Sequence, residues 1–189
     1  HVLEGLTEHL DEALISGRLD IGLLYHNRQV PSPTDESLLQ TDLCLIGPAG
    51  DSITQAEVVD FRRVAELPLI LPATPNRMRL LIDQVCHDHG IVLNVTTVLD
   101  ALGTLKDIAA SGRAYTILPP HFVAADIASG RLQAARIIRP AITRTILLAS
   151  SAHSPMERAR SEVMDLIREV ISTLVSSGEL NGKRCQPMT

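Results

Sequence analysis

Apolar residues follow two alternating rhythms along the chain. Short unbroken apolar runs read as buried strands, and apolar residues spaced three and four apart read as helices. Residues 4–24 show both. Thr7 stands at an N-cap position, Glu8, Asp11 and Glu12 put negative charge near the positive helix end, and Leu10, Ala13 and Leu14 form the apolar stripe. Gly17 supplies a left-handed stop, and Ile21 to Tyr25 then runs apolar without alternation, as a strand covered on both faces does. Opening on a helix and its following strand, the chain reads as starting inside an α/β unit, with that lobe's first strand and helix outside it.

The rhythm continues. Leu38 to Ile46 predicts a second extended run, and Gly47-Pro48-Ala49-Gly50-Asp51 a break that reads as a crossover. Phe61 to Leu67 predicts a short helix and Leu69 to Leu71 a buried strand. Thr74 as N-cap and Pro75 as first helical residue predict the start of a helix that turns Met78, Leu81, Ile82 and Val85 inward and closes at Gly90. Residues 91–99 read as a strand, Asp100 as the cap of a helix ending at Gly112, and Tyr115 to Leu118 as a strand stopped by Pro119-Pro120. A short helix reaches Gly130, and strands follow at Leu132–Ile138 and Thr145–Ala149. Ser154-Pro155-Met156-Glu157 is a capping box that opens a last helix running to Gly178.

Strands alternating with helices imply α/β architecture, each lobe a mixed, mostly parallel sheet flanked by helices. Breaks near 47–50 and 149–154 predict that the chain leaves one lobe, builds a second and returns. The first lobe is then 1–46 plus 150–177 and the second 47–149, with 178–189 a flexible tail. A cleft between two such lobes is where a small ligand is expected.

Composition narrows the function. Aromatic residues are 2% of the chain and Trp is absent, which argues against base-stacking surfaces for single-stranded nucleic acid. The net charge is −5 without a dense basic cluster, so these residues are not expected to touch DNA. Three cysteines, Cys44, Cys86 and Cys185, have no framework spacing and fit a reducing cytoplasm. No apolar run approaches the ~18 residues of a membrane span. Enzyme motifs for nucleophile elbows, phosphate loops, dinucleotides or zinc proteases are absent, so no catalytic residue is assigned and no cofactor is expected. Cys86, His87 and His89 invite a metal reading, but on a helix position 87 points about 100° away from 86, and no metal site is expected.

Four segments carry a resemblance: Glu4-Gly5-Leu6-Thr7 with Gly17-Arg18-Leu19-Asp20 and Ile21-Gly22-Leu23-Leu24; Leu67-Pro68-Leu69-Ile70; Asp107-Ile108-Ala109-Ala110-Ser111-Gly112 with Thr116-Ile117-Leu118-Pro119; and Pro140 and Arg144 followed by Thr145-Ile146-Leu147-Leu148-Ala149. In this order and spacing they resemble the effector-binding domain of LysR-type transcriptional regulators, over roughly residues 3–175. One departure is Arg113-Ala114 after Gly112, where the family has Gly-x-Gly. The resemblance implies a two-lobed, periplasmic-binding-protein-like (type 2) fold whose lobes are joined by two crossovers. It implies a cytoplasmic bacterial regulator that binds a small metabolite and contacts DNA only through a winged helix-turn-helix domain outside this chain. It also implies self-association, with the second-lobe helix 76–89 and strand 91–98 as the interface.

The same resemblance singles out site residues. Thr7 reads equally as a plain N-cap or as an effector contact beside helix N–H groups. Thr74, Pro75, Asn76 and Arg77 form the corresponding helix start in the second lobe, where backbone N–H groups and a guanidinium suit an anion. Tyr25, ending its strand, is placed near the cleft mouth. Asp100 reads as a helix cap rather than a ligand contact. A transporter's solute-binding protein, or an enzyme on the same two-lobed fold, is the alternative, because fold alone does not separate these functions.

Overall fold

A computed structural model describes residues 1–5, 7–25, 35–151, 157–180 and 182–185. In chain order the elements begin with α1 (Thr7–Ile15), β1 (Ile21–Tyr25), β2 (Glu36–Asp42), β3 (Cys44–Pro48), β4 (Val58–Asp60) and α2 (Phe61–Glu66). Next come β5 (Leu69–Leu71), α3 (Arg77–His89), β6 (Val95–Val98), α4 (Leu102–Ala110) and β7 (Thr116–Leu118). A 3-10 turn (Pro120–Val123) then precedes α5 (Ala124–Ala128), β8 (Leu132–Ile138), β9 (Thr143–Ser150), α6 (Glu157–Ser176) and β10 (Lys183–Arg184). The chain divides into two compact units, His1–Thr41 with Arg144–Thr189, and Asp42–Thr143.

The first unit is a four-stranded sheet in the order β1-β9-β2-β10. Side chains of a strand point alternately to its two faces. Leu24 packs with Leu14, Leu10 and Leu19 from the α1 side, together with Ala149. Ile21, Ile146 and Leu148 instead join Leu38 and Leu39 beneath Met164, Ile167, Ile171 and Val175 of α6. This cover on two faces accounts for Ile21 and Leu24, while Leu23 stays exposed. Gly22 lets α1 lie close: a Cβ there would stand 2.9 Å from Leu14 Cδ1. Gly17, at φ 70°, turns the chain out of α1, and the N–H groups of Arg18 and Leu19 both donate to Ala13 O.

The second unit has the sheet order β4-β8-β3-β7, and β5 pairs with β6. Tyr115 N donates to Pro68 O and Ile70 N to Tyr115 O, a parallel bridge that attaches β5 to the β7 side. Leu45, Ile46, Phe61, Val64, Leu69, Ile82, Ile117 and Ile137 are fully buried, so the core is aliphatic around a single phenylalanine.

Several expectations are revised. Among the described pairs, β1/β9, β2/β10, β3/β7 and β3/β8 are antiparallel, while β4/β8 and β5/β6 are parallel. The sheets are mixed, as expected, but not mostly parallel. The reason is topological: the antiparallel neighbours, β9 beside β1, β10 beside β2 and β7 and β8 beside β3, are strands far apart in sequence and not the two strands of a strand-helix-strand unit. The expected divisions at 46/47 and 149/150 fall inside β3 and β9, and the units part at 41/42 and 143/144 instead. Gly47 and Pro48 therefore end β3, and Ala49 and Gly50 turn the chain within the second unit, so this stretch is not a crossover. The 178–189 tail is partly tied down. Lys183 and Arg184 pair with Gln40 and Leu39, Cys185 N donates to Leu38 O, and Leu180 packs against the α6 layer. The capping box at 154–157 and most of the 26–37 loop lie outside the described residues.

If the α1–β1 contact sets the first unit's packing, Gly22→Val should lower stability by about 1–3 kcal/mol, as added core volume does. A denaturant midpoint equal to the parent's would refute that role.

Candidate functional site

The helix start of the second unit is built differently from the expectation. Asn76, not Thr74, is the N-cap of α3: its Oδ1 accepts from Met78 N at 2.9 Å and from Arg79 N at 3.3 Å. Thr74 and Pro75 lie two residues and one residue before this cap, both exposed, and Arg77 is the first helical residue, half-buried. An Asn carbonyl at two-residue reach closes the turn, and a sequence with Thr74, Pro75 and Asn76 in a row offers two readings of where the helix begins. Asp100 is corrected as well. The cap of α4 is Ala101, with no side-chain bond, while Asp100 Oδ1 accepts from Ala73 N at 2.9 Å. Asp100 thus fastens the loop before α3 to the start of α4, and the four residues Thr74 to Arg77 stand on that fastened loop.

Arg79 is a neighbour the sequence reading passed over. Its Nε donates to both oxygens of Asp83 at 2.8 and 3.0 Å, and one terminal nitrogen donates to Pro72 O at 3.1 Å. The i,i+4 spacing of Arg79 and Asp83 was the available signal. The pair rigidifies the segment carrying the site residues and leaves Arg79 committed to the protein.

In the first unit, Thr7 is the first residue of α1, half-buried, and not the N-cap that the sequence reading made it. Tyr25 ends β1 opposite Ile146. Because α1 and β1 are joined by a tight turn and run in opposite directions, the start of α1 and the end of β1 lie at the same end of the unit. The Arg144 guanidinium carbon sits over the Tyr25 ring, 3.5 Å from its centroid. Burial raises the Tyr25 hydroxyl above the usual tyrosine value, and the Arg144 charge opposes that rise. Arg144 was noted in the sequence only as part of a crossover pattern, since nothing local predicts its stacking partner.

A groove of about 890 Å³ lies elsewhere on this unit, lined by apolar Leu3, Leu10, Leu19, Ile21, Leu23 and Val163 among others. None of the predicted site residues lines it. Among the described residues no group of three or more His, Cys, Asp or Glu could hold a metal ion, and Cys86, His87 and His89 form no such cluster. No helix among the described residues is long and apolar enough to cross a membrane.

The architecture is that of two-unit α/β domains of the periplasmic-binding-protein-like type 2 class. The family model described as LysR substrate binding domain matches residues 1–172, and the chain belongs to that family. It is similar to the nitrogen assimilation regulatory protein nac of Escherichia coli (strain K12), 25% identical over 166 residues, covering 88% of this chain and 53% of that protein. It is also similar to the HTH-type transcriptional regulator BbuR of Bordetella bronchiseptica, 28% identical over 182 residues, covering 96% of this chain and 56% of that protein. The chain spans about half the length of these curated relatives. A solved structure of the Synechocystis PCC6803 CcmR regulatory domain in complex with 2-PG shares the fold, with a TM-score of 0.74 at 16% identity over 87% of this chain and 79% of that one.

Buried ionisable groups of the second unit give two testable outcomes. Burial pushes the Cys44 thiol up to about 12 and the Cys86 thiol up to about 11, helped by Asp42 and Asp83 respectively. At neutral pH both should resist a disulfide reagent until the chain is denatured, because the thiolate is the nucleophile. Rapid labelling of either cysteine in the native chain would contradict this. The second concerns Asp126, buried and paired with Lys106 Nζ at 2.9 Å and with Arg131. Its hydrogen bonds to Lys106 and then Arg131 hold the carboxyl below the usual aspartate value. Such a group adds stability above the unfolded value and loses it as pH falls through the folded one. Thermal stability should therefore drop on acidification below about pH 4, and Asp126→Asn should flatten that dependence.

Proposed function

We propose that this chain is the effector-sensing domain of a LysR-type transcriptional regulator, that it is not an enzyme, and that its effector is a small anionic metabolite. The family match over residues 1–172 carries the reading. DNA contact is assigned to a winged helix-turn-helix domain outside these residues, and regulation to a shift in that domain's DNA binding when effector is held. A cytoplasmic location accords with this role.

The effector contacts we assign are Thr7 and Tyr25 in the first unit and Thr74, Pro75, Asn76 and Arg77 in the second. The positive end of the α3 dipole favours a negative charge, although the Met78 and Arg79 N–H groups are spent on the Asn76 cap, and Arg77 adds a cation there. Because Asn76 spends its carbonyl on the cap, its side-chain amide N–H groups are what remain for a ligand. Self-association is assigned to α3 and the following strand. There Val92 is 88% exposed, Val98 54% and Leu80 42%, beside β6, the outer strand of its pair with β5.

Calorimetry on the full chain with small carboxylates and phosphate esters tests the reading. We expect saturable binding of at least one anion, weakened by Thr7→Val and by Asn76→Ala, the latter also costing about 1 kcal/mol of helix stability as a lost cap. Affinity unchanged in both variants would refute the site. Sedimentation should show weaker self-association for Val92→Glu, and an unchanged oligomer would remove α3 and β6 from the interface.

A further inference from the structure

We infer that the C-terminal segment 178–185 guards a sheet edge, and that the outer edge of β2 beneath it is a self-association surface for a second copy of this chain. The inference does not rest on the effector reading. The family match ends at residue 172, so membership does not supply a role for this segment. In the sheet order β1-β9-β2-β10, the short strand β10 is what lies on the outer side of β2 among the described residues. A sheet edge offers unpaired N–H and C=O groups to other strands, and proteins blunt such edges with short, charged strands. β10 has that form: it is two residues long, Lys183 and Arg184, and Lys183 is exposed.

Three residues bring the segment to this edge. Gly178, at φ 79°, turns the chain out of α6, with its N–H donating to Val175 O at 3.2 Å and Leu180 N donating to Leu174 O at 2.9 Å. Leu180 then packs against the cluster of Leu38, Leu39 and Leu148. Gly182 permits the closest approach: a Cβ there would stand 2.5 Å from Gln40 O and 2.7 Å from Leu39 Cγ. Beyond it Lys183 lies opposite Gln40, Arg184 opposite Leu39, and Cys185 N donates to Leu38 O at 3.1 Å. Residues two apart on a strand turn their backbone groups the same way, so Gln40 faces this edge as Leu38 does. Lifting the segment would free those groups and open one side of Leu39, which is now fully buried. The edge accepts an antiparallel strand, as β10 shows, and a twofold axis sets β2 against a second β2 in that same sense. The two acids of β2 do not oppose that pairing as free charges. Glu36 is held by Arg168 at 2.8 Å, and Asp42 accepts from the Thr143 hydroxyl at 2.7 Å.

Gly182→Val in the full chain and a chain ending at Ser177 both test this. Sedimentation should show each of them associating one step beyond the parent at the same concentration. The extra step should persist in a Val92→Glu background, and its loss there would move it to α3 and β6 and overturn the inference. A peptide of residues 178–189 added to the shortened chain should restore the parent's mass, and the same peptide carrying Gly182→Val should not. Hydrogen exchange locates the contact. The Gln40 amide should exchange about tenfold faster or more in the dilute shortened chain than in the parent, and slow again as that chain associates. If both variants keep the parent's mass at every concentration, the guard reading is wrong. Association that the peptide does not reverse, or that leaves the Gln40 amide fast, also overturns it. Where the shortened chain loses its helical circular dichroism, the mass and the Gln40 exchange of Gly182→Val decide alone.

Discussion

The first unit depends on one strand that the chain supplies late. β1 and β2 do not pair with each other; β9 lies between them and hydrogen-bonds to both. Leu148 of β9 is fully buried under α6, and Ala149, on the opposite face, is fully buried with Leu14 and Leu24. Without β9 the α1–β1 layer and the β2–α6 layer would have no common sheet. The same strand delivers Arg144 to the Tyr25 ring.

What was legible in the sequence was local. Gly17, Gly90, Gly112, Gly130 and Gly178 all adopt positive φ where helix or turn stops were expected, because only a residue without Cβ takes that conformation at little cost. The apolar runs Leu69–Leu71 and Thr116–Leu118 are strands for the equally local reason that they are wholly buried, while Ile21–Tyr25 buries Leu24 on the α1 side and leaves Leu23 exposed. What was not legible is what distant parts of the chain decide. Asp100 carries a cap's side chain, yet it serves the Ala73 N–H, 27 residues away. Thr74-Pro75-Asn76 satisfies two capping patterns, and choosing between them needs the three-dimensional course of the loop. Strand direction failed as a prediction because alternation constrains connections, not neighbours. The Tyr25–Arg144 contact joins residues far apart in sequence through register alone.

Several ionisable side chains of the second unit are committed to its structure. The thiols of Cys44 and Cys86 are buried and raised, and the carboxylate of Asp126 is neutralised by two cations. Tyr115 donates to Asp51, whose other oxygen accepts from Ile53 N, Thr54 N and the Thr54 hydroxyl. These groups are spent on holding turns and helices.

The insertion of the second unit between β2 and β9 also sets an order of events during synthesis. Residues Asp42–Thr143 are contiguous, so a growing chain holds the whole second unit before the first unit receives its middle strand. Until then β1 and β2 lack the partner each is built to pair with, and unpaired strands are open to wrong partners. The time taken to translate about a hundred residues, at ~5–20 per second, is thus a period in which the nascent first unit remains sticky.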